Sequence, residues 1–360
     1  MATLTQASNE LMRRPADERY SSVTDLHNAA LGYKTRARRA EIRTEKLRVG
    51  NVGGDLRLIG AKDEIKMTNW SFGQLATVAG APSNYITSLP ADLAVECMNY
   101  GLRRASGPES NRENNLLFDR AESGMATLRA LTSTKYERIW NSQVTERLLR
   151  LEQEGPWQPA PAAFDGSRGL YMGDRDMFAF MVDNDRRIFE SLPGGGLSRG
   201  FFVRNSEVGA ASFSIYSFKY NFICGNHMVW GASELRGVKI RHIGAAGANA
   251  FGNLEAELIR FAESSAKEDE LQIAAMRRYT IGKDLDEVLD VVMGLKIDGL
   301  GRGLVKQGYE LAVQREDWYG APNTMWGLAG GLTEIARDLP NADTRTRLEA
   351  ATGKLIEMAL

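Results

Sequence analysis

A change of hydrophobic period near Asn249 constrains this chain more than any other feature. Over residues 105–245 apolar side chains alternate with a period of two, as in MATLRALTSTKYERI (125–139) and ASFSIYSFKYNFI (211–223). That is the pattern of strands with one face turned to a core. Beyond Asn249 the spacing becomes helical, through Leu254, Leu258, Phe261, Ile273, Met276 and Tyr279. The expected fold is α+β, with a small helical N-terminal part, a central, mainly antiparallel β-sheet with helices, and a helical C-terminal region. A parallel, doubly wound sheet does not fit, because it needs strands and helices in alternation.

Four regions follow. Residues 1–67 are read as a basic arm and strands, 68–104 as a helical hairpin, 105–248 as a β-rich core and 249–360 as helical. In the hairpin, Ser71-Phe72-Gly73-Gln74 fits a capping box, Gly80 a left-handed helix end, and Pro82 a first helical turn. Leu89-Pro90 ends that helix, and 91–103 form the next. The spacing also fits a helix-turn-helix, but its recognition segment (82–88) carries no Lys or Arg, which favours a structural hairpin over a groove reader.

In the core, Asp183-Asn184-Asp185 reads as a turn, and Asn141-Ser142 as the start of a helix. The 13-residue alternating run at 211–223 is longer than most strands and is expected to bend or bulge, with Gly225-Asn226 as its turn. In the C-terminal region Asp284 with Glu287 fits a helix cap, and Gly301, Gly303, Gly308, Gly327, Gly330 and Gly331 permit close helix packing or loops.

Composition narrows the class. A hydrophobic fraction of 43% with 25% charged residues is that of a soluble globular protein. Cys97 and Cys224 are too few for a disulfide framework or a cysteine zinc site, and three scattered histidines do not make a metal centre. The sequence has no apolar run long enough for a membrane span and no secretory leader pattern, so a cytoplasmic protein without a membrane partner is expected. The glycines at 194–196 precede no Gly-Lys-Ser/Thr and do not form a phosphate loop. No cofactor is implied.

Two stretches concentrate cations. Residues 33–48 hold Lys34, Arg36, Arg38, Arg39, Arg43, Lys46 and Arg48 against Glu41 and Glu45. They read either as a mobile arm that orders on nucleic acid or as a charged exposed strand. Residues 199–242 hold six Lys and Arg against Glu207 and Glu234, and eight of the chain's 30 aromatics fall between 201 and 230. Cations can follow phosphates while aromatic faces stack on bases; the same pattern also suits an aromatic sheet core with a basic edge.

The chain resembles the phage/plasmid-like protein family catalogued as domain of unknown function 932. The matching stretches are AGAPSNYITSLP (79–90), TSTKYERIWN (132–141), VRNSEVGAASFSI (203–215), NFICGNHMV (221–229), IRHIG (240–244) and NTMWGLAGGLTE (323–334), in family order. The chain departs from the family at Gly225-Asn226-His227, where the pattern is closer to Thr-Asn-Gly, and at Ala329-Gly330-Gly331, where an Asn-Ala pair is expected. The resemblance implies a setting in mobile-element DNA metabolism and transfers no catalytic residue. The strands and helix of 125–151 are also similar to the sheet-plus-helix core of ring-forming single-strand annealing proteins.

Three functions are compatible with these observations. The first is a nucleic-acid-binding protein favouring single-stranded DNA, an annealing or recombination accessory and a homo-oligomer. In it Arg36, Arg38, Arg39, Arg204, Lys219, Arg236, Lys239 and Arg241 follow phosphates, and Tyr216 or Tyr220 stacks on bases. The second is a metal-dependent nuclease built on Asp174, Asp176, Asp183 and Asp185. The third is a non-catalytic oligomeric interaction or anti-host protein without nucleic acid. A Cys224–His227 nucleophile and base is disfavoured, since a cysteine at a sheet end is more often a small buried hydrophobe.

Overall fold

A computed structural model describes residues 15–61, 63–107, 111–120, 124–161, 168–188, 196–221, 234–240, 256, 260–261, 267–338, 348 and 351–356. The fold is α+β and mainly antiparallel, as the change of period predicts.

The strands divide into two sheets. Helix α1 (Val23–Arg36) follows the short strand β1 (Arg19–Tyr20) and leads straight into β2 (Ala37–Arg43). Strands β3 (Val49–Val52), β4 (Asp55–Ile59) and β5 (Glu64–Met67) come next. These pair with β6 (Glu113–Arg120) and β7 (Ala126–Ser133) in the order β2-β6-β7-β5-β4-β3, in which β5 and β7 run parallel. The second sheet contains β8 (Trp157–Pro159), β9 (Leu170–Met172), β10 (Met177–Ile188), β11 (Leu197–Asn205), β12 (Phe213–Asn221) and β13 (Glu234–Ile240). It runs β1-β9-β10-β11-β12-β13, with β8 also on β10.

This division settles the reading of residues 33–48. The stretch is the end of α1, strand β2 and a 3-10 turn (Thr44–Lys46). β2 pairs with β6 along its whole length. Of the two sequence readings, the charged exposed strand is the one observed. Ala40 and Ile42 share one face of the strand and are half-buried, Ile42 against the core of the first sheet.

Among the described residues three large cores and a smaller cluster of Leu117, Ala130 and Val208 hold the molecule together. Helices α2 (Asn69–Ala79), α3 (Ser83–Thr87) and α4 (Ala91–Arg104) lay Leu75, Ile86, Met98 and Leu102 on Leu58, Leu116 and Leu128 of the first sheet. α1 and α5 (Asn141–Glu154) put Leu26 and Leu148 on Met181, Phe201, Phe213 and Ile215 of the second. The C-terminal helices α6 (Lys267–Arg278), α7 (Leu285–Gly294), α8 (Arg302–Gln314), α9 (Glu316–Tyr319) and α10 (Met325–Asp338) form a third core around Val292, Leu328 and Leu332. No helix among the described residues is long and apolar enough to cross a membrane.

Local chemistry explains several boundaries. Gly80 closes α2 at φ 66°, the left-handed position expected of it. The N-cap of α2 is Thr68 rather than Ser71: its hydroxyl accepts the Ser71 N–H, and Ser71 Oγ donates to Leu128 O. Asp284 caps α7 as expected, accepting the Glu287 N–H, while Glu287 accepts the Lys283 N–H. Asp183-Asn184-Asp185 is not a turn. It lies within β10, where the pairing with β11 shifts register between Val182 and Arg187, and Asp183 accepts the Asp185 N–H at 3.0 Å. β12 shows the expected irregularity, a register shift against β13 between Ser214 and Tyr216.

Candidate nucleic-acid interface

The cations of the β2 region fall into distinct environments. Arg36, in the last turn of α1, makes a bidentate pair with Asp119 at 3.0 and 3.2 Å. Arg43 lies 3.7 Å from Glu113, and both are exposed. Arg38 and Arg39 stand exposed on the strand, and Arg38 Nη1 donates to the Thr35 and Ala37 carbonyls. Both residues border one cleft with Ala40, Asp63, Ile65, Phe118, Arg120 and Ala126. Arg120 meets Asp63 at 3.4 Å in an exposed pair, worth about 0–1 kcal/mol and displaceable by a phosphate. Side chains alternate along β2, so Arg38 shares the face of Ala40 and Phe118 while Arg39 leaves from the opposite face, where its charge reaches Arg138. The cleft is bordered by the cations Arg38 and Arg120 beside the apolar Ile65 and Phe118.

The second basic stretch is less open than its composition implies. Arg204 does not stand free for phosphate. It pairs with buried Asp176 at 3.2 Å, lies 5.0 Å from the centre of the Phe178 ring, and is 18% exposed. Asp176 also accepts the Tyr171 hydroxyl at 2.6 Å. Tyr216 is half-buried, with one ring face stacked on fully buried Phe202 at 4.8 Å and 12°. The alternation at 199–216 therefore does not separate a wet face from a dry one, because Phe201 and Phe202, on opposite faces, are both buried. The side chains of Lys219, Tyr220, Arg236 and Lys239, and all of Arg241, lie outside the described residues, as do Cys224, His227 and the glycines at 194 and 195.

A polar joint between the two sheets is the feature that sequence reasoning missed. Glu207, in the β11–β12 connection, is 2% exposed. Its Oε2 accepts from Arg129 Nη1 on β7 at 3.1 Å, and its Oε1 accepts the Asn141 N–H at 2.9 Å. Arg129 stacks over Tyr33 of α1 at 4.5 Å, and Arg138 Nε donates to the Glu207 carbonyl at 2.6 Å. Tyr136 donates to Ser206 O, and Asn205 Nδ2 to Asn141 Oδ1 and Ile139 O. Trp70 and Gln74 of α2 both donate to Val208 O. Burial pulls the Arg138 guanidinium down to about 10 and pushes the Tyr136 hydroxyl well up. The joint brings together residues 132–141 and 203–215, two of the stretches singled out in the sequence; their segregation was legible, their partners were not.

This joint links β7 of the first sheet to the β11–β12 connection of the second. Both Glu207 oxygens are engaged, one by Arg129 Nη1 and the other by the Asn141 main-chain amide. The aspartates proposed for a metal separate similarly. Asp174 is exposed in the β9–β10 turn, Asp176 is tied to Tyr171 and Arg204, and Asp183 is held within β10. Among the described residues no group of three or more His, Cys, Asp or Glu is placed to hold a metal.

The half-buried stack gives Tyr216 a structural role with a measurable consequence. Tyr216→Ala is expected to lower the melting temperature, with a cost at the upper end near the ~3–5 kcal/mol of a fully buried aromatic truncation. Thermal unfolding followed by circular dichroism checks this; an unchanged midpoint contradicts the packing role.

No family model, curated protein or solved structure matches the chain.

Proposed function

We propose that this chain is a nucleic-acid-binding protein that favours single-stranded DNA and acts as an annealing or recombination accessory in phage or plasmid DNA metabolism. The setting rests on the sequence resemblance. The binding reading rests on one structural observation: Arg38 and Arg120 line an open cleft with Phe118 and Ile65, and Arg39 stands exposed next to Arg38 on the same edge strand. Cations arrayed along an extended strand suit a phosphate backbone, and an apolar floor suits unstacked bases. Lys219, Tyr220, Arg236, Lys239 and Arg241 belong to the same proposal on the sequence alone, since their side chains lie outside the described residues. Arg204 is left out of it because Asp176 already holds that guanidinium.

The test is a set of substitutions read across a salt series. Arg38→Ala with Arg39→Ala is expected to weaken binding to a labelled single-stranded oligonucleotide. The salt slope should flatten by about 0.7 for each phosphate that the variant no longer neutralises. Arg204→Ala is the control: it strips buried Asp176 of its cation, so the melting temperature falls while the slope stays. Unchanged affinity and slope in the Arg38/Arg39 variant would exclude the cleft.

A non-catalytic interaction protein without nucleic acid is the competing reading, and the open outer edge of β2 favours it. Both readings predict that wild-type protein leaves DNA intact in magnesium.

A further inference from the structure

The outer edge of β2 carries an inference that goes beyond nucleic-acid binding and does not depend on it. β2 is the terminal strand of its sheet, and among the described residues no strand covers its far side. The direction of its main-chain groups follows from the ladder with β6. The register runs from Ala37↔Asp119 to Arg43↔Glu113, and one step further the Thr44 N–H donates to Arg112 O at 2.9 Å. In an antiparallel pair this bonding alternates, so even-numbered residues of β2 turn their N–H and C=O toward β6. Odd-numbered residues turn theirs outward. Arg38 Nη1 reaches the Ala37 carbonyl at 2.8 Å. The free groups in the middle of the edge therefore belong to Arg39 and Glu41, whose side chains are both exposed.

We propose that β2 pairs with β2 of a second copy, antiparallel about a two-fold axis through Ala40, to make one continuous sheet. In that register Arg39 stands opposite Glu41 of the second copy, and Glu41 opposite its Arg39. Each residue donates and accepts one main-chain hydrogen bond across the seam, since both are outward-facing. The two-fold operation makes the Arg39–Glu41 match occur twice. Ala40 meets Ala40 at the centre, where a small side chain lets the strands close.

The charge order is what selects this occupant. Edges that avoid pairing carry like charges, which repel a second copy of themselves. Registers centred on Arg39 or Glu41 set Arg39 against Arg39, or Arg39 against Arg43. Only the register centred on Ala40 overlaps all seven residues and sets opposite charges face to face. An interface of one strand is small, so the dimer is weak and concentration-dependent.

Sedimentation velocity of the full chain without nucleic acid, from about 5 to 200 µM, tests the proposal at the scale of weak interfaces. Wild-type protein is expected to shift from monomer to dimer over that range. Glu41→Arg turns two attractive pairs into repulsive ones and is expected to weaken the dimer at least about tenfold. The double variant Arg39→Glu/Glu41→Arg restores both pairs at unchanged net charge and is expected to recover dimerisation. Glu41→Pro removes an outward N–H without touching the bonds to β6, and is expected to abolish the dimer while circular dichroism stays native. A wild-type protein that stays monomeric overturns the proposal. So does a dimer indifferent to Glu41→Arg, or a double variant that fails to recover.

Discussion

Replacing Glu207 by alanine is expected to lower folding stability by about 3–5 kcal/mol, the cost of leaving a buried charge without its partner. Arg129 is 3% exposed and Glu207 is the anion it pairs with, and the Asn141 N–H loses its acceptor at the same time. The loss reaches across the molecule because Glu207 lies in the second sheet's β11–β12 connection while Arg129 lies on β7 of the first. Urea unfolding of Glu207→Ala should show the midpoint falling sharply. Glu207→Gln, which keeps the shape and one acceptor oxygen, should fall less. The double variant Arg129→Met/Glu207→Leu should regain much of the loss, since a buried pair replaced by packed apolar groups is often neutral or better. A single Glu207→Ala variant as stable as wild type would show that the joint does not bind the sheets.

The second large effect is expected at Gly331. Helices α8 and α10 approach so closely that a Cβ added at Gly331 would collide with Gly308 O and lie 2.9 Å from the Gly308 carbonyl carbon. Both are main-chain atoms and cannot rotate aside, so Gly331→Ala must part the helices, at about 1–3 kcal/mol or more. The same change at Gly303 has the opposite sign. Gly303 lies exposed near the start of α8, and a Cβ added there would meet nothing within 4 Å, so alanine should stabilise by up to about 1 kcal/mol. Thermal midpoints of the two variants, measured side by side, should move in opposite directions. A rise for Gly331→Ala would mean that the helices are not in backbone contact.

The period of the apolar residues made the α+β class legible, and cap chemistry made Gly80 and Asp284 legible, because these signals are local. Pairing between distant strands is not local. Nothing in the alternation of 113–133 tells β6 and β7 to join β2–β5 rather than the later strands. The aspartates at 183 and 185 have turn chemistry, yet they sit in a strand whose register with β11 is irregular. Thr68 caps in place of Ser71 because both offer a hydroxyl within one turn. The candidate site divides along the same line. Arg38 and Arg39 could be picked out as exposed cations from their run of charge alone. Arg204 could not be told from them, because Asp176 lies 28 residues away in sequence and meets it only through sheet pairing. Glu207 and its partners were invisible for that reason too: Arg129 is 78 positions distant.

Single-strand binding is measured by fluorescence anisotropy of a labelled single-stranded oligonucleotide, titrated with wild-type protein from about 50 to 200 mM salt beside a duplex of the same sequence. Saturable binding that favours the single strand is expected, with log affinity falling linearly against log salt at about 0.7 per neutralised phosphate. Absence of binding at the lowest salt, or binding indifferent to salt, would contradict it.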